Sequence, residues 1–558
     1  MTHTDASLPV LTVSAASIGR GNNATAAVVA ALSKLENGGT LRFEKGEYHF
    51  YEDGTLKRFY AVSNNDAGEK RIVLPLLQKQ SVTVDGCGST FVFHGRIFPF
   101  VADACRGLTL KNMILDRSQP IFVKMRVRDV DDQGFGLEIG EGECPFRIEQ
   151  GSLIFQREWG EFSGLERKLS LHSADRFRVR YLFTGACEDS KQNLPVSYMS
   201  ADAVRTEWGV RLTYRKDPEA SDCLFWEGES LYVVLDGERE NDLIFLNECE
   251  DVRVENITVR AAMGMGIIGQ LCRDIRIKNF CSDSSRYAGG ITVSADAMHF
   301  VNCDGVLDIS DCRITHTGDD ILNVHGMYTL LREARPDRIT AQIMHRDQYF
   351  FCPYRPGDRL VLIQKSTMKQ LAVFLVSDYS VSGALGTDIT LNGRFEEGFG
   401  ELSGKGDILI ENPDRMPDLH LWNCYFSNYP HLRISGSGKM LVENTVFENS
   451  RSAVHLLDLS QYWYESGRIK DFTFRNNVMR GCSNLGEQSF IVAGVSGFSD
   501  AEAPKIHEKI EISNNRFEDI KHHAIVVGGV RDLVLRDNLF DRSGDDLIVI
   551  DGCSVVNP

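Results

Sequence analysis

Residues 252–259 read VRVENITV, and residues 440–447 read MLVENTVF. Each alternates apolar and polar residues, sets an Asn after the fourth, and returns to an apolar residue three positions later. The phrase recurs as LTLKNMIL (108–115), LDISDCRI (307–314), LHLWNCYF (419–426), FTFRNNVM (472–479), IEISNNRF (510–517) and LVLRDNLF (533–540), with a shorter IRIKNF at 275–280. Its key positions are Asn112, Asn256, Asn279, Asp311, Asn423, Asn444, Asn476, Asn514 and Asp537, separated by 144, 23, 32, 112, 21, 32, 38 and 23 residues. A base period of 21–23 with longer excursions is the spacing of a solenoid. The period-2 alternation is that of half-buried strands. Strand, Asn turn and second strand describe one coil of a right-handed parallel β-helix. Stacked Asn side chains would form a ladder outside a continuous apolar core. A leucine-rich solenoid would need helical halves that the pattern lacks.

The N-terminus fits such a solenoid. ATAAVVAALSKL (24–35) follows Asn22–Asn23 as an amphipathic helix start, able to cap an open first coil. With ENGGTLRFEKGEYHF after it, this entry resembles the first coil of pectate-lyase-like β-helix proteins. The separations of 144 and 112 are too long for single coils, so each holds an insertion. FVKMRVRDV, RFRVRYLF and SLYVVLDG in the first, and RITAQIMH, DRLVLIQKS and TDITLNG in the second, read as antiparallel β. The expected layout is therefore all-β: cap and first coils at 1–120, a β-barrel-like insertion at 121–245, coils at 246–326, a second β-barrel-like insertion at 327–415, and final coils at 416–558.

Composition narrows the function. Lys and Arg total 61 against 78 Asp and Glu, a formal charge of -17, which argues against a nucleic-acid partner. No apolar run is long enough to span a membrane. The start MTHTDASLPVLTVSAAS has no signal-peptide pattern, so either the protein is not exported or the chain is a trimmed form. Secretion or a periplasmic home is the expectation for the native form, with a cytoplasmic one open. The 14 cysteines show no zinc-like spacing, and Cys87, Cys281, Cys303, Cys312 and Cys424 read as small buried hydrophobes.

The densest polar cluster is ITHTGDDILNVHG (314–326). Asp319 and Asp320 lead into a strand on which Asn323 and His325 share one face. Asp296, in TVSADAMHF, lies 23 residues before Asp319, about one coil earlier, so the three carboxylates should cluster. Such a cluster separates pKa values and suits glycosidic hydrolysis, which needs a carboxylic acid and a carboxylate to activate water. The final coil repeats the pair in SGDDLIVIDG (543–552) without the Asn and His, so GDD alone is weak evidence. Strand alignment stacks Arg433 and His455 above Asn323, a column suited to sugar hydroxyls. Trp422, Trp463 and Tyr464 are available as an aromatic platform. His522–His523 read as a turn rather than a metal pair.

A carboxylate one coil before an adjacent Asp pair resembles the site of polygalacturonases, glycoside hydrolase family 28, with His431 of YPHLRISGSG near the place of that family's Gly-His-Gly coil. The wording TGDDILNVHG, the Asp 23 residues upstream and the two insertions resemble glycoside hydrolase family 110 more closely. That resemblance, over about 250–550, implies an exo-acting, inverting α-1,3-galactosidase without metal or cofactor, including enzymes that remove the terminal galactose of blood group B. It implies Asp319 as general acid and Asp296 and Asp320 as the pair activating water; Asn323, His325, His431, Arg433 and His455 are the candidate substrate-binding residues. The partner would be a galactose-terminated oligosaccharide or glycoconjugate, and a homodimer is compatible. The rivals are a uronate hydrolase, which would need basic residues such as Arg433, Arg286 and Lys439 around the site, and a non-catalytic glycan-binding β-helix.

Overall fold

The computed structural model describes residues 8–555 except 15–17, 19–22, 36–37, 141–142, 164–168, 174–178, 185–197, 216–224, 236–238, 240, 288, 428–430, 451, 483–488, 496 and 499–503. Asn22 and the Tyr429–Pro430 step before His431 thus lie outside the described residues. The chain is a right-handed parallel β-helix. Among the described residues, one sheet of 19 strands carries the repeated phrases, and a second of 13 strands carries the segments between them. Neighbouring coils pair in parallel register, as where Val252 lies opposite Leu108 and Ile275.

Every key Asn or Asp adopts the left-handed conformation, with φ between 53° and 58°. Short polar side chains tolerate that region because they bond locally. Here they bond along the stack: Asn256 donates to the Oδ1 of Asn112 and Asn279 to that of Asn256, each at 3.0 Å. Asn423 donates to Asp311 at 2.6 Å. In the last coils a second ladder runs one residue inward, where backbone amides of Thr445, Asn477 and Asn515 donate to the side chains of Asn477, Asn515 and Asn538. The apolar residues of the phrases, with those of the second sheet, fill one continuous core from Val13 to Leu547. Cys303, Cys312 and Cys424 are buried in it, whereas Cys87 and Cys281 are only half-buried, beside the outward Asn turns.

The helix Thr25–Ser33 buries Val28 and Leu32 against the first coils, and the Asn23 side chain accepts from the Thr25 amide. Both long separations hold a closed barrel. The first runs from Phe122 to Val234 in seven strands, with a small sheet at 146–163 beside it. The second runs from Thr329 to Glu411 in six. One pairing departs from the antiparallel expectation: Val179–Thr184 lies parallel to Tyr198–Arg205. Among the described residues no helix is long and apolar enough to cross a membrane.

Candidate active site

The strand Leu322–Met327 lies between Met298–Val301 and Leu432–Ile434 in the second sheet. Leu322 and Val324 enter the core, leaving Asn323 and His325 on the outer face, as strand alternation requires. Register stacks His299, Asn323, Arg433 and His455 in one column.

The turn before each strand supplies the acids. Val293 bridges Thr317 and Met298 lies opposite Leu322, so Asp296 is in register with Asp320, and Ala295 with Asp319. The expected offset of 23 is thus one residue short, because this coil is longer than those that set the base period. The carboxylates still meet: one oxygen from each of Asp296, Asp319 and Asp320 falls within 4.8 Å of the others. Gly318 makes the turn possible, since a Cβ there would lie 2.1 Å from the Ser294 carbonyl oxygen. Asp319 sits in a bend and Asp320 in the irregular step after it, neither on a regular strand, so both reach the same side.

The three acids differ in environment. The side chains of Asp296 and Asp320 are 4% and 7% exposed, that of Asp319 41%. Burial pushes the Asp296 carboxyl well above the carboxylate range, and neighbouring Asp319 adds to the rise. Burial also raises Asp320, against the pull of Arg433. The Nε of Arg433 lies 3.2 Å from one Asp320 oxygen, and His431 Nε2 lies 3.2 Å from the other. His455 stacks on His431 with ring centroids 3.8 Å apart and contacts Ser452 Oγ at 2.7 Å.

Side chains remote in sequence complete the site. Arg239 holds the Asp319 carboxylate, and buried His172, from the first barrel, is pushed down to about 4 by burial with Asp319 and Arg239 as charged neighbours. His299 Nδ1 lies 2.7 Å from Asp296, and His299 Nε2 lies 2.9 Å from His325 Nε2. Glu465, on a two-residue strand pairing with Gly326–Met327, accepts from Asn64 at 2.7 Å and from Asn323 at 3.4 Å. Burial pushes its carboxyl up, but His325 and Arg433 outweigh that and hold it below the usual range. Gln348, from the second insertion, donates to Asn64 Oδ1 and to the Trp463 carbonyl, both at 3.0 Å.

Sequence reading missed His299, Glu465, Asn64, Arg239, His172 and Gln348. His299 carried a signal, as it alternates with core residues Met298 and Phe300; the others come from insertions and loops with no local mark. Of the proposed aromatics, Trp463 stacks on His345 at 4.2 Å beside this network. Trp422 does not reach it: it belongs to the other sheet and stacks on His420. Tyr464 packs between coil and second barrel, under Lys365. The basic residues of the uronate reading are also dispersed, with Arg286 on Asp116 and Lys439 at the start of a strand in the other sheet. Three oxygens this close resemble a cage for a hard cation. The donor set does not fit one, because Arg239, Arg433 and His299 already engage the three carboxyls.

No family model matches the chain. It is 28% identical over 528 residues to α-1,3-galactosidase B of Bacteroides thetaiotaomicron, covering 91% of this chain and 82% of that protein. It is 27% identical over 508 residues to α-1,3-galactosidase A of Shewanella woodyi, covering 89% and 80%. Among solved structures it is similar to a family 28 exopolygalacturonase of Yersinia enterocolitica, with TM-score 0.43 and 12% identity, over 98% of this chain and 78% of that one. Curated α-1,3-galactosidases are thus relatives of this chain over about nine-tenths of its length.

Proposed function

We propose that the protein is an exo-acting α-1,3-galactosidase, hydrolysing terminal non-reducing α-1,3-linked galactose of blood group B or linear glycans with inversion. The substrate rests on the relatives, which cover about nine-tenths of this chain. The chemistry rests on one observation, the three converging carboxyls of Asp296, Asp319 and Asp320. Asp319, the exposed member, protonates the departing glycosidic oxygen. A water near Asp296 and Asp320 attacks the anomeric carbon as the C–O bond breaks, and its proton passes to that pair. Arg239 must leave Asp319, whose carboxylate then takes up a proton from solvent before the bond is cleaved, and Arg239 so becomes available to the aglycone. The column Asn323, Arg433 and His455, with His431, offers donors and acceptors to galactose hydroxyls, while His325, buried and bonded through both ring nitrogens to Gly326 and His299, backs it from behind. Arg433 is held by Asp320, which disfavours a uronate carboxylate there and suits a neutral galactoside.

The test is release of galactose from an α-1,3-galactosyl disaccharide, set against α-1,4- and α-1,6-linked isomers and polygalacturonate. Hydrolysis of polygalacturonate alone would overturn the substrate, and binding without hydrolysis would overturn the enzyme. Proton NMR of the first anomer released decides the stereochemistry: β-galactose means inversion, α-galactose retention.

A further inference from the structure

The hydrogen bonds behind Asp296 fix a proton count. His325 Nδ1 lies 2.6 Å from the Gly326 carbonyl oxygen. A carbonyl only accepts, so His325 Nδ1 carries a hydrogen. His325 Nε2 meets His299 Nε2 at 2.9 Å, and two bare nitrogens cannot bond, so one hydrogen lies between them. His299 Nδ1 meets Asp296 Oδ2 at 2.7 Å, and a third hydrogen lies there. Three bonds need three hydrogens, while two neutral imidazoles bring only two.

We propose that Asp296, His299 and His325 form a closed unit holding one proton beyond the two of its neutral rings, kept on the Asp296 carboxyl at neutral pH, with His299 and His325 as positioning residues. With both rings neutral, the carbonyl sets the direction. His325 is the Nδ1–H tautomer, its Nε2 accepts from His299 Nε2–H, and the bare His299 Nδ1 accepts from Asp296. Burial pushes both imidazoles down to about 4 and the Asp296 carboxyl upward, which places the third proton on oxygen. The groups facing the unit are Asp319, Asp320 and Glu465, opposed by Arg239 and Arg433, with Asn64 at 3.5 Å from His325 Nε2. The chain ends at a backbone carbonyl, so the proton has no exit by that route. The unit therefore stores a proton rather than conducting one.

On the hydrolase reading, on which this consequence rests, Asp296 enters the cycle protonated. Asp320, between Arg433 and His431, is then the member of the deep pair that takes the proton of the attacking water. The proton count itself does not depend on that reading, and imidazole 15N NMR of the labelled wild-type protein near pH 7 tests it without any substrate. His299→Gln and His325→Gln spectra assign the two signals. The expected result is two neutral rings, His325 protonated at Nδ1 and His299 at Nε2. A His299 ring protonated at Nδ1, or either ring as imidazolium, overturns the proposal. Where galactosidase activity is present, the pH profile of kcat/KM for His299→Phe supplies a sign. Loss of the acceptor moves the limb reporting Asp296 to lower pH, by about one unit. Movement to higher pH would mean that an imidazolium had been lost and overturns it; lowered activity with no moved limb makes His299 merely structural and also overturns it.

Discussion

The chain places the same pair of acids twice in one register. Leu322, Leu432, Val454, Ile491, Ile525 and Ile548 form a single column, so Asp545 and Asp546 stand before Ile548 as Asp319 and Asp320 stand before Leu322. Their surroundings are opposite. Asp320 is buried with its carboxyl raised, whereas Asp546 is 57% exposed, and its hydrogen bonds to Arg542 hold it below the usual range. The inner pair is flanked by Asp296 one coil earlier, by His431 and Arg433 one coil later, and by side chains from both insertions. The outer pair stands on the last strand of its sheet, with a coil on one side only. Turn sequence sets where two carboxyls go; neighbouring coils set what they can do.

The largest effects should separate the two pairs outright. Asp319→Asn or Asp320→Asn is expected to lower kcat about a thousandfold or more, since each removes a proton-transfer group. Asp545→Asn and Asp546→Asn should leave kcat unchanged, and a large loss in either would assign the chemistry to the wrong coil. Next in size, Arg433→Met should cost about a hundredfold in kcat/KM, because Asp320 loses its cation in a buried site; wild-type kinetics would break the claim that this contact distinguishes the pairs. Arg239→Ala should change kcat/KM about tenfold at most, with KM carrying most of it, while Arg542→Ala, its outer counterpart, should move neither kinetics nor melting temperature.

A further effect concerns stability. Buried Asp458 accepts from Tyr328 at 2.8 Å, and burial raises it to about 7. A carboxyl raised above its unfolded value of about 3.9 stabilises the fold most at low pH, and that contribution is lost as pH rises towards 7. Asp458→Asn should therefore flatten the decline in unfolding free energy between pH 5 and 7 by roughly 2–3 kcal/mol, measured by urea denaturation at both pH values. An unaltered slope would show that this carboxyl ionises as freely as the exposed ones.

Much of the fold was legible because the solenoid repeats its physics. The Asn and Asp positions found by spacing all carry the left-handed turn, and the gaps of 144 and 112 residues both hold barrels. The strand-borne column Asn323, Arg433 and His455 was legible for the same reason, since parallel register follows from alternation. Asp296 was read one residue out of step because turns vary in length while strands do not. Glu465, Asn64 and Arg239 were not legible, because hairpins and loops returning to one face leave no period to follow. Trp422 misled in the opposite way: strand position fixed its face, but not which of the two sheets it belonged to.

The bond from Asn64 to Glu465 spans 401 positions of chain and closes the site over His325. On a ribosome, the N-terminal coils have every partner they need to stack as they emerge, yet no nascent chain short of Glu465 holds a finished centre. On the proposed reading, catalysis would thus switch on late and abruptly in synthesis.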